Sequence, residues 1–270
     1  MTKAKGLVIS LSGLIGLTGL LFWRYYLVQE KPSLYMEVAS WDLPMEAPSG
    51  IAADEAAEVF WLTDWKSGAI IKVLASNPVK VLERHASSLT FFHPNSIVLD
   101  PGGRYIFTLD SVTHKIYRHQ WDKPEVIDEE APAPSPSSLF MAVYDPPGAP
   151  AWRLAALDTL AKSVYLYDPR TLKAKPAIAL TLPKGMTPLA FAGGQGAFWI
   201  LDSKTKAIWK FEQNEKGEWP AVRAGEVALA DGSEALTSAT AFAIRQDGSV
   251  YLVLETAPPK LVLVEKRSKK

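Results

Sequence analysis

Cysteine is absent from the 270 residues. Its absence excludes disulfides, thiolate nucleophiles, cysteine zinc sites and a lipid-modified N-terminal cysteine. Such a chain can live on either side of a bacterial membrane. An excess of one charge is also missing: 29 basic residues balance 29 acidic ones. A broad nucleic-acid-binding face needs clustered positive charge, so no nucleic-acid partner is expected. Histidine is scarce, with four copies at positions 85, 93, 114 and 119, and none has the His-Glu-x-x-His spacing of a zinc protease. No Gly-x-Ser-x-Gly nucleophile elbow occurs. The run Gly193-Gly194-Gln195-Gly196 lacks the Lys-Ser/Thr pair of a phosphate loop and reads as a hairpin turn.

One long uncharged apolar run is present, at residues 6–23. At about 1.5 Å of rise per residue, a helix of this length just crosses a hydrocarbon core. Lys3 and Lys5 precede it, and Trp23, Arg24, Tyr25 and Tyr26 follow in the manner of an interfacial belt. A cleaved signal peptide would show a small-x-small site after a shorter run; here the run ends in bulky residues. The segment therefore reads as an uncleaved anchor over 6–28, with residues 1–5 in the cytoplasm and a linker at 29–33. The remainder is placed outside, in the periplasm, as a single-pass inner-membrane protein. Ser12, Gly13, Gly16 and Gly19 form a small-residue stripe that lets another transmembrane helix approach closely.

Beyond the anchor one phrase recurs: an apolar strand, an acidic residue, a polar turn and a second apolar strand. It reads Phe60-Trp61-Leu62-Thr63-Asp64 before Ala69-Ile70-Ile71-Lys72, then Ile106-Phe107-Thr108-Leu109-Asp110 before Lys115-Ile116-Tyr117-Arg118. Further copies end their first strands at Asp158, Asp202 and Glu255. The five acids are 46, 48, 44 and 53 residues apart. A period of that length built from strands marks a β-propeller blade. The fold class is therefore all-β, a propeller over residues 34–266 behind one transmembrane helix, followed by a basic tail at 267–270. Small apolar inner strands precede each phrase, as in Gly50-Ile51-Ala52-Ala53 and Ala241-Phe242-Ala243-Ile244. Outer strands are expected at residues 79–82, 124–127, 177–180 and 226–229. The last blade runs out of chain, and Leu34 to Trp41 supplies its missing outer strand, closing the ring. The arithmetic favours five blades; six would need about 40 residues per blade and another copy of the phrase. Residues 131–138, with three alternating prolines, are expected to be an extended connector without regular structure.

The acids at 64, 110, 158, 202 and 255 ring one face, because the turn after the second strand returns to the end where the first strand starts. A cation site and turn stitching both suit carboxylates there. Repetition favours stitching, each carboxylate accepting backbone hydrogen bonds of its own turn.

The opening blade, from Glu46-Ala47-Pro48-Ser49-Gly50 to Asp64, resembles the gluconolactonase/regucalcin-like and strictosidine-synthase-like propellers, as does His93-Pro94-Asn95-Ser96 through Asp110. Blades of the NHL type are similar. The resemblance implies a propeller and, in its lactonase members, one calcium or other divalent ion held at the channel mouth by Glu, Asn and Asp. Glu46 and Asn95 stand at two of those positions. Ser137-Ser138, Thr187-Pro188 and Thr237-Ser238 stand where the other motifs are expected. Two oxygen ligands do not make a calcium site, which takes six to eight. The expectation is thus no resident cofactor, with calcium as the ion the resemblance implies, and no catalytic set. The expected role is a membrane-anchored interaction or accessory subunit with a membrane-protein partner. Its alternatives are a divergent metal-dependent lactonase or esterase, and a binder of a small ligand or glycan in the central funnel.

Overall fold

The computed structural model describes residues 33–148, 151–194 and 196–267. The expectations for residues 1–5, the anchor at 6–28 with Ser12, Gly13, Gly16 and Gly19, and most of the basic tail lie outside the described residues. Among the described residues, no helix is long and apolar enough to cross a membrane. Ser33, assigned to the linker, already belongs to a strand.

Four-stranded antiparallel meanders build the chain. The first comprises β2 (Pro48–Asp54), β3 (Val59–Asp64), β4 (Ala69–Leu74) and β5 (Lys80–Ala86). The second is β6 (Pro94–Leu99), β7 (Tyr105–Asp110), β8 (Lys115–Gln120) and β9 (Ile127–Pro132), and the third β10 (Ser138–Tyr144), β11 (Arg153–Asp158), β12 (Ser163–Tyr167) and β13 (Ile178–Ala179). The fourth is β14 (Pro188–Gly194), β15 (Ala197–Asp202), β16 (Ala207–Glu212) and β17 (Ala221–Ala228). The last, β18 (Ala239–Ile244), β19 (Val250–Leu254) and β20 (Lys260–Arg267), takes its outer strand from the other end of the chain, β1 (Ser33–Asp42). The inner strands pack in sequence, β2 on β6, β6 on β10, β10 on β14, β14 on β18 and β18 back on β2. The fold is an all-β propeller of four-stranded sheets.

Closure is tighter than a single added strand. β1 runs antiparallel to β20, with Leu34 opposite Arg267 and Asp42 opposite Lys260. It also runs parallel to β17, with Ser33 opposite Gly225 and Met36 opposite Ala228. β1 thus fuses the fourth and fifth meanders into one eight-stranded sheet. Gly225 permits this: a Cβ there would lie 2.5 Å from the Ser33 carbonyl oxygen and 2.7 Å from the Tyr35 ring.

The core lies between sheets rather than within one. Trp61, Ile70, Ile97 and Ile106 fill the first interface, and Phe107, Leu109, Met141 and Leu154 the second. Leu157, Phe191 and Phe198 fill the third, Leu201, Ile208, Phe242 and Leu252 the fourth, and Phe60, Leu62, Tyr251 and Val253 the last. Each second strand is covered on both sides, so β3 reads Val-Phe-Trp-Leu-Thr-Asp and is buried throughout. Full burial of a side chain such as Phe107 or Phe198 stabilises by about 2–3 kcal/mol. Outer strands are exposed: β5 is almost wholly solvated.

The outer-strand expectations need correction. In the second meander the strand is Ile127–Pro132, and residues 124–126 belong to the turn before it. The proline-rich connector therefore starts after Pro132. Ala131 and Pro132, expected to open it, are paired with Ile116 and Lys115, and Ser138, expected to end it, begins β10, so the connector is residues 133–137. In the fourth meander the outer strand begins at Ala221, five residues ahead of the expected start. A short 3-10 helix, Ser233–Ser238, lies in the connector before β18.

Candidate functional site at the channel mouth

Every inner strand carries an irregularity one residue after its start. The register slips between Pro48 and Gly50, Pro94 and Ser96, Ser138 and Phe140, Pro188 and Ala190, and Ala239 and Ala241. A bulge leaves one residue out of the ladder and re-aims it. The residues so displaced are Ser49, Asn95, Leu139, Leu189 and Thr240. Four of them, all but Leu139, line a cavity of about 430 Å3 at this end of the channel, with Pro48, Trp65, Phe140, Pro188 and Glu255. We call this end the mouth. Ile51, Met141, Phe191 and Phe242 line both a narrow void of about 10 Å3 that shares Ser49, Asn95 and Thr240 with the mouth and a separate cavity of about 120 Å3.

The repeat acids surround the mouth. Asp64 is paired with Pro48 across β2 and β3, at the end where the inner strand starts. It accepts the backbone N–H of Glu46 at 3.2 Å and of Ala47 at 3.3 Å, from the connector. It also accepts Lys66 N–H at 3.1 Å and Ser67 N–H at 3.3 Å, from its own turn. Asp110 accepts His93 N–H, Val112 N–H at 2.9 Å and Thr113 N–H at 2.7 Å. Asp158 takes the Ser135 and Ser137 hydroxyls, both at 2.7 Å, with Leu160 and Ala161 N–H at 3.0 and 2.9 Å. Asp202 accepts Thr187 N–H at 2.8 Å, Lys204 N–H at 3.3 Å and Thr205 N–H at 3.2 Å. Burial pushes the Asp64 carboxyl up, but the N–H groups of Glu46, Ser67 and Ala47 outweigh it and hold it below the usual value. Asp158 behaves alike: burial raises it, and Ala161 N–H with the two serine hydroxyls brings it lower. In all four turns the residue four places after the acid is left-handed: Gly68, His114, Lys162 and Lys206.

Glu255 departs from this pattern. The donors two and three places after the acid serve the four aspartates; after Glu255 the third place is Pro258, which has no N–H. Its turn is instead held by Thr256 Oγ1 donating to the Pro258 carbonyl at 2.6 Å. The Glu255 side chain is exposed, lines the mouth and makes no hydrogen bond or ion pair among the described residues.

The two residues aligned with the lactonase ligands are not brought together. Glu46 is exposed and paired with Lys66, and it is not among the residues lining the mouth. Asn95 does line it, and its Nδ2 donates to the Leu139 carbonyl at 3.1 Å. Among the described residues no three His, Asp or Glu side chains are gathered as metal ligands. The ladder registers also correct the motif alignment. The equivalents of Asn95-Ser96 are Leu139-Phe140, Leu189-Ala190 and Thr240-Ala241, two to three residues later than the sequence pairs assigned to them. Thr240 was missed in that alignment, and Trp65, in the turn after Asp64, lies outside it; Glu255 was readable from the proline three places on.

No family model and no curated protein matches the sequence. Solved structures do resemble the fold. Glutaminyl cyclase from Myxococcus xanthus superposes with a TM-score of 0.64 at 9% identity, over 89% of this chain and 100% of that one. A streptogramin B lyase gives 0.53 at 15% identity, over 85% and 97%. At such identities the likeness is one of fold: the chain has the architecture of the β-propellers.

Proposed function

We propose that the protein is a membrane-anchored, extracytoplasmic β-propeller that serves as an interaction subunit of a membrane complex and docks its partner on the mouth face. The observation that carries this reading is a set of exposed apolar side chains on that face, spread over three neighbouring sheets. They are Trp65 (40% exposed), Phe91 (70%), Val112 (51%) and Leu160 (82%), at turns where a merely solvated rim would carry polar residues. Trp65 is held rigidly for such a role: its Nε1 donates to Ser111 Oγ at 3.0 Å, and its ring lies 4.6 Å from that of His93. Ordered aromatics lose little entropy on binding and make effective anchors. The strand that follows residues 1–32, β1, begins at the opposite end, because Asp42 pairs with Lys260 beside the mouth turns and Leu34 with Arg267.

The test is a mild-detergent purification of the full-length protein and of the variant Phe91→Ser/Val112→Ser/Leu160→Ser. Stoichiometric membrane subunits with the wild type, lost with the variant at unchanged melting temperature, are the expected result. Recovery of the protein alone, or equal recovery of subunits with the variant, refutes the reading. The lactonase-like alternative draws no support from the separated Glu46 and Asn95; a calcium-dependent rise in melting temperature lost in Asn95→Ala would restore it. A small-ligand function has an observation of its own, developed next.

A further inference from the structure

Among the described residues, the mouth cavity holds one charge and nothing to neutralise it. Glu255 is the only ionisable one of them in its lining, and its carboxylate has no partner. Asn95, in the same wall, commits Nδ2 to Leu139, which leaves its Oδ1 acceptor. Thr240 is in the wall too, but its Oγ1 is shut off from solvent and is not presented to the cavity. The rest of the wall is apolar: Pro48, Phe140, Pro188 and Leu189, with the Trp65 indole at the rim.

These groups choose among ligand classes. A divalent cation wants six to eight oxygens and more than one carboxylate, which this wall does not supply. An anion is repelled by Glu255. A neutral ligand can hydrogen-bond the carboxylate but covers its charge without neutralising it, a costly burial. A primary ammonium fits: it brings three donors and one positive charge to a carboxylate and an amide oxygen. Its cation also favours an aromatic face such as that of Trp65. We infer that the mouth binds a primary ammonium group carried on a compact apolar body. The cavity, about 430 Å3, is of a size that accepts a small molecule. The amine can be free or can belong to a protein partner; the recognising groups are the same, and the site stands independently of the apolar tips at Phe91, Val112 and Leu160.

The test uses the full-length protein in detergent and three probes of one shape: phenethylammonium, 2-phenylethanol and phenylacetate. Binding is read by calorimetry and ligand-observed NMR. Saturable binding of phenethylammonium is expected, at least ten-fold tighter than the alcohol, with no binding of phenylacetate. Glu255→Gln is expected to weaken it by about ten- to a hundred-fold, the worth of a charge-assisted hydrogen bond. Glu255 is exposed and stitches no turn, so its variant keeps the wild-type melting temperature. No saturable binding of phenethylammonium, equal binding of the alcohol, or full binding by Glu255→Gln each overturns the inference. If subunits co-purify, their elution by phenethylammonium assigns the amine to the partner. Their retention alongside measured phenethylammonium binding assigns it to a free ligand. The docking proposal fails separately, through the apolar-tip variant.

Discussion

The buried imidazole of His119 sets a pH limit on this fold. His119 is 0% exposed, its Nε2 lies 2.8 Å from Thr108 Oγ1, and the rings of Phe92 and Tyr117 pack edge-on against it. Burial depresses its pKa from 6.5 to about 4, and the Pro124 backbone beside it offsets only part of that effect. The folded protein therefore keeps the ring neutral where the unfolded chain protonates it. Stability is unaffected by this group above pH 6.5, falls as the pH drops towards 4, and stops falling once the folded form protonates too. At 1.36 kcal/mol per pH unit, the loss over that interval is about 3 kcal/mol, a large share of a typical domain's 5–15 kcal/mol. Urea unfolding between pH 7 and 4.5, followed by tryptophan fluorescence, measures it. The variant His119→Phe orphans the Thr108 hydroxyl, at about 1 kcal/mol independent of pH. Its stability should then decline less than that of the wild type. The carboxyls of Glu83, Glu125, Asp64 and Asp158 are also held below their ordinary values, and their loss sets in as the pH falls towards those values; it is common to both proteins, so the difference between the two curves isolates His119. Parallel decline of wild type and variant would refute the reasoning.

The stitching acids and the free one should separate in a denaturation series. Asp110→Ala orphans three backbone N–H groups at a fully buried site and should cost about 3 kcal/mol or more, whereas Glu255→Ala should change stability by less than about 0.5 kcal/mol. Arg118 holds Asp128 at 2.6 Å and Glu129 at 2.9 Å, donates to the Arg170 carbonyl in the turn after β12 and lies over the Tyr105 ring. Arg118 is buried but its carboxylate partners are partly exposed, so Arg118→Ala should cost about 1–3 kcal/mol, and Lys should not restore it, because a point charge lacks the planar fork; thermal melts of both variants check this. Gly225→Ala should force β1 off β17 at about 1–3 kcal/mol, seen as faster amide exchange confined to the N-terminal strand; unchanged exchange there would contradict the closure geometry.

The sheets were legible because the propeller repeats its own solution. The phrase that ends in an acid marks each second strand, and that strand is buried on both sides, so its hydrophobic run is strong and its length regular. The partnership of β1 with β20 was legible by elimination, since the last meander lacked a strand. Its second partnership with β17 was not, because a parallel pairing leaves no turn in the sequence and Gly225 gives only a weak signal. Outer strands were the least legible. β9 begins three residues after the expected start, and alternating exposed residues such as Asp128 and Glu130 carry little hydrophobic pattern there.

The mouth was illegible for a related reason. Nothing in composition marks the start of an inner strand, so the motif alignment gave Thr237-Ser238 the place that Thr240-Ala241 holds, although Thr240 precedes Glu255 by the same 15 residues as Asn95 precedes Asp110. What the sequence did carry was asymmetry. Four acids are aspartates followed by residues with N–H groups at the second and third places; the fifth is a glutamate followed by Thr256-Ala257-Pro258-Pro259. The proline at the third place removes one donor, and the extra methylene lengthens the acid's reach beyond its own turn. In a repeat fold the common residues keep the ring together, and the copy that abandons the common bond is free for something else. Glu255 is that copy, and the cavity it lines also has Asn95 and the Trp65 indole in its wall.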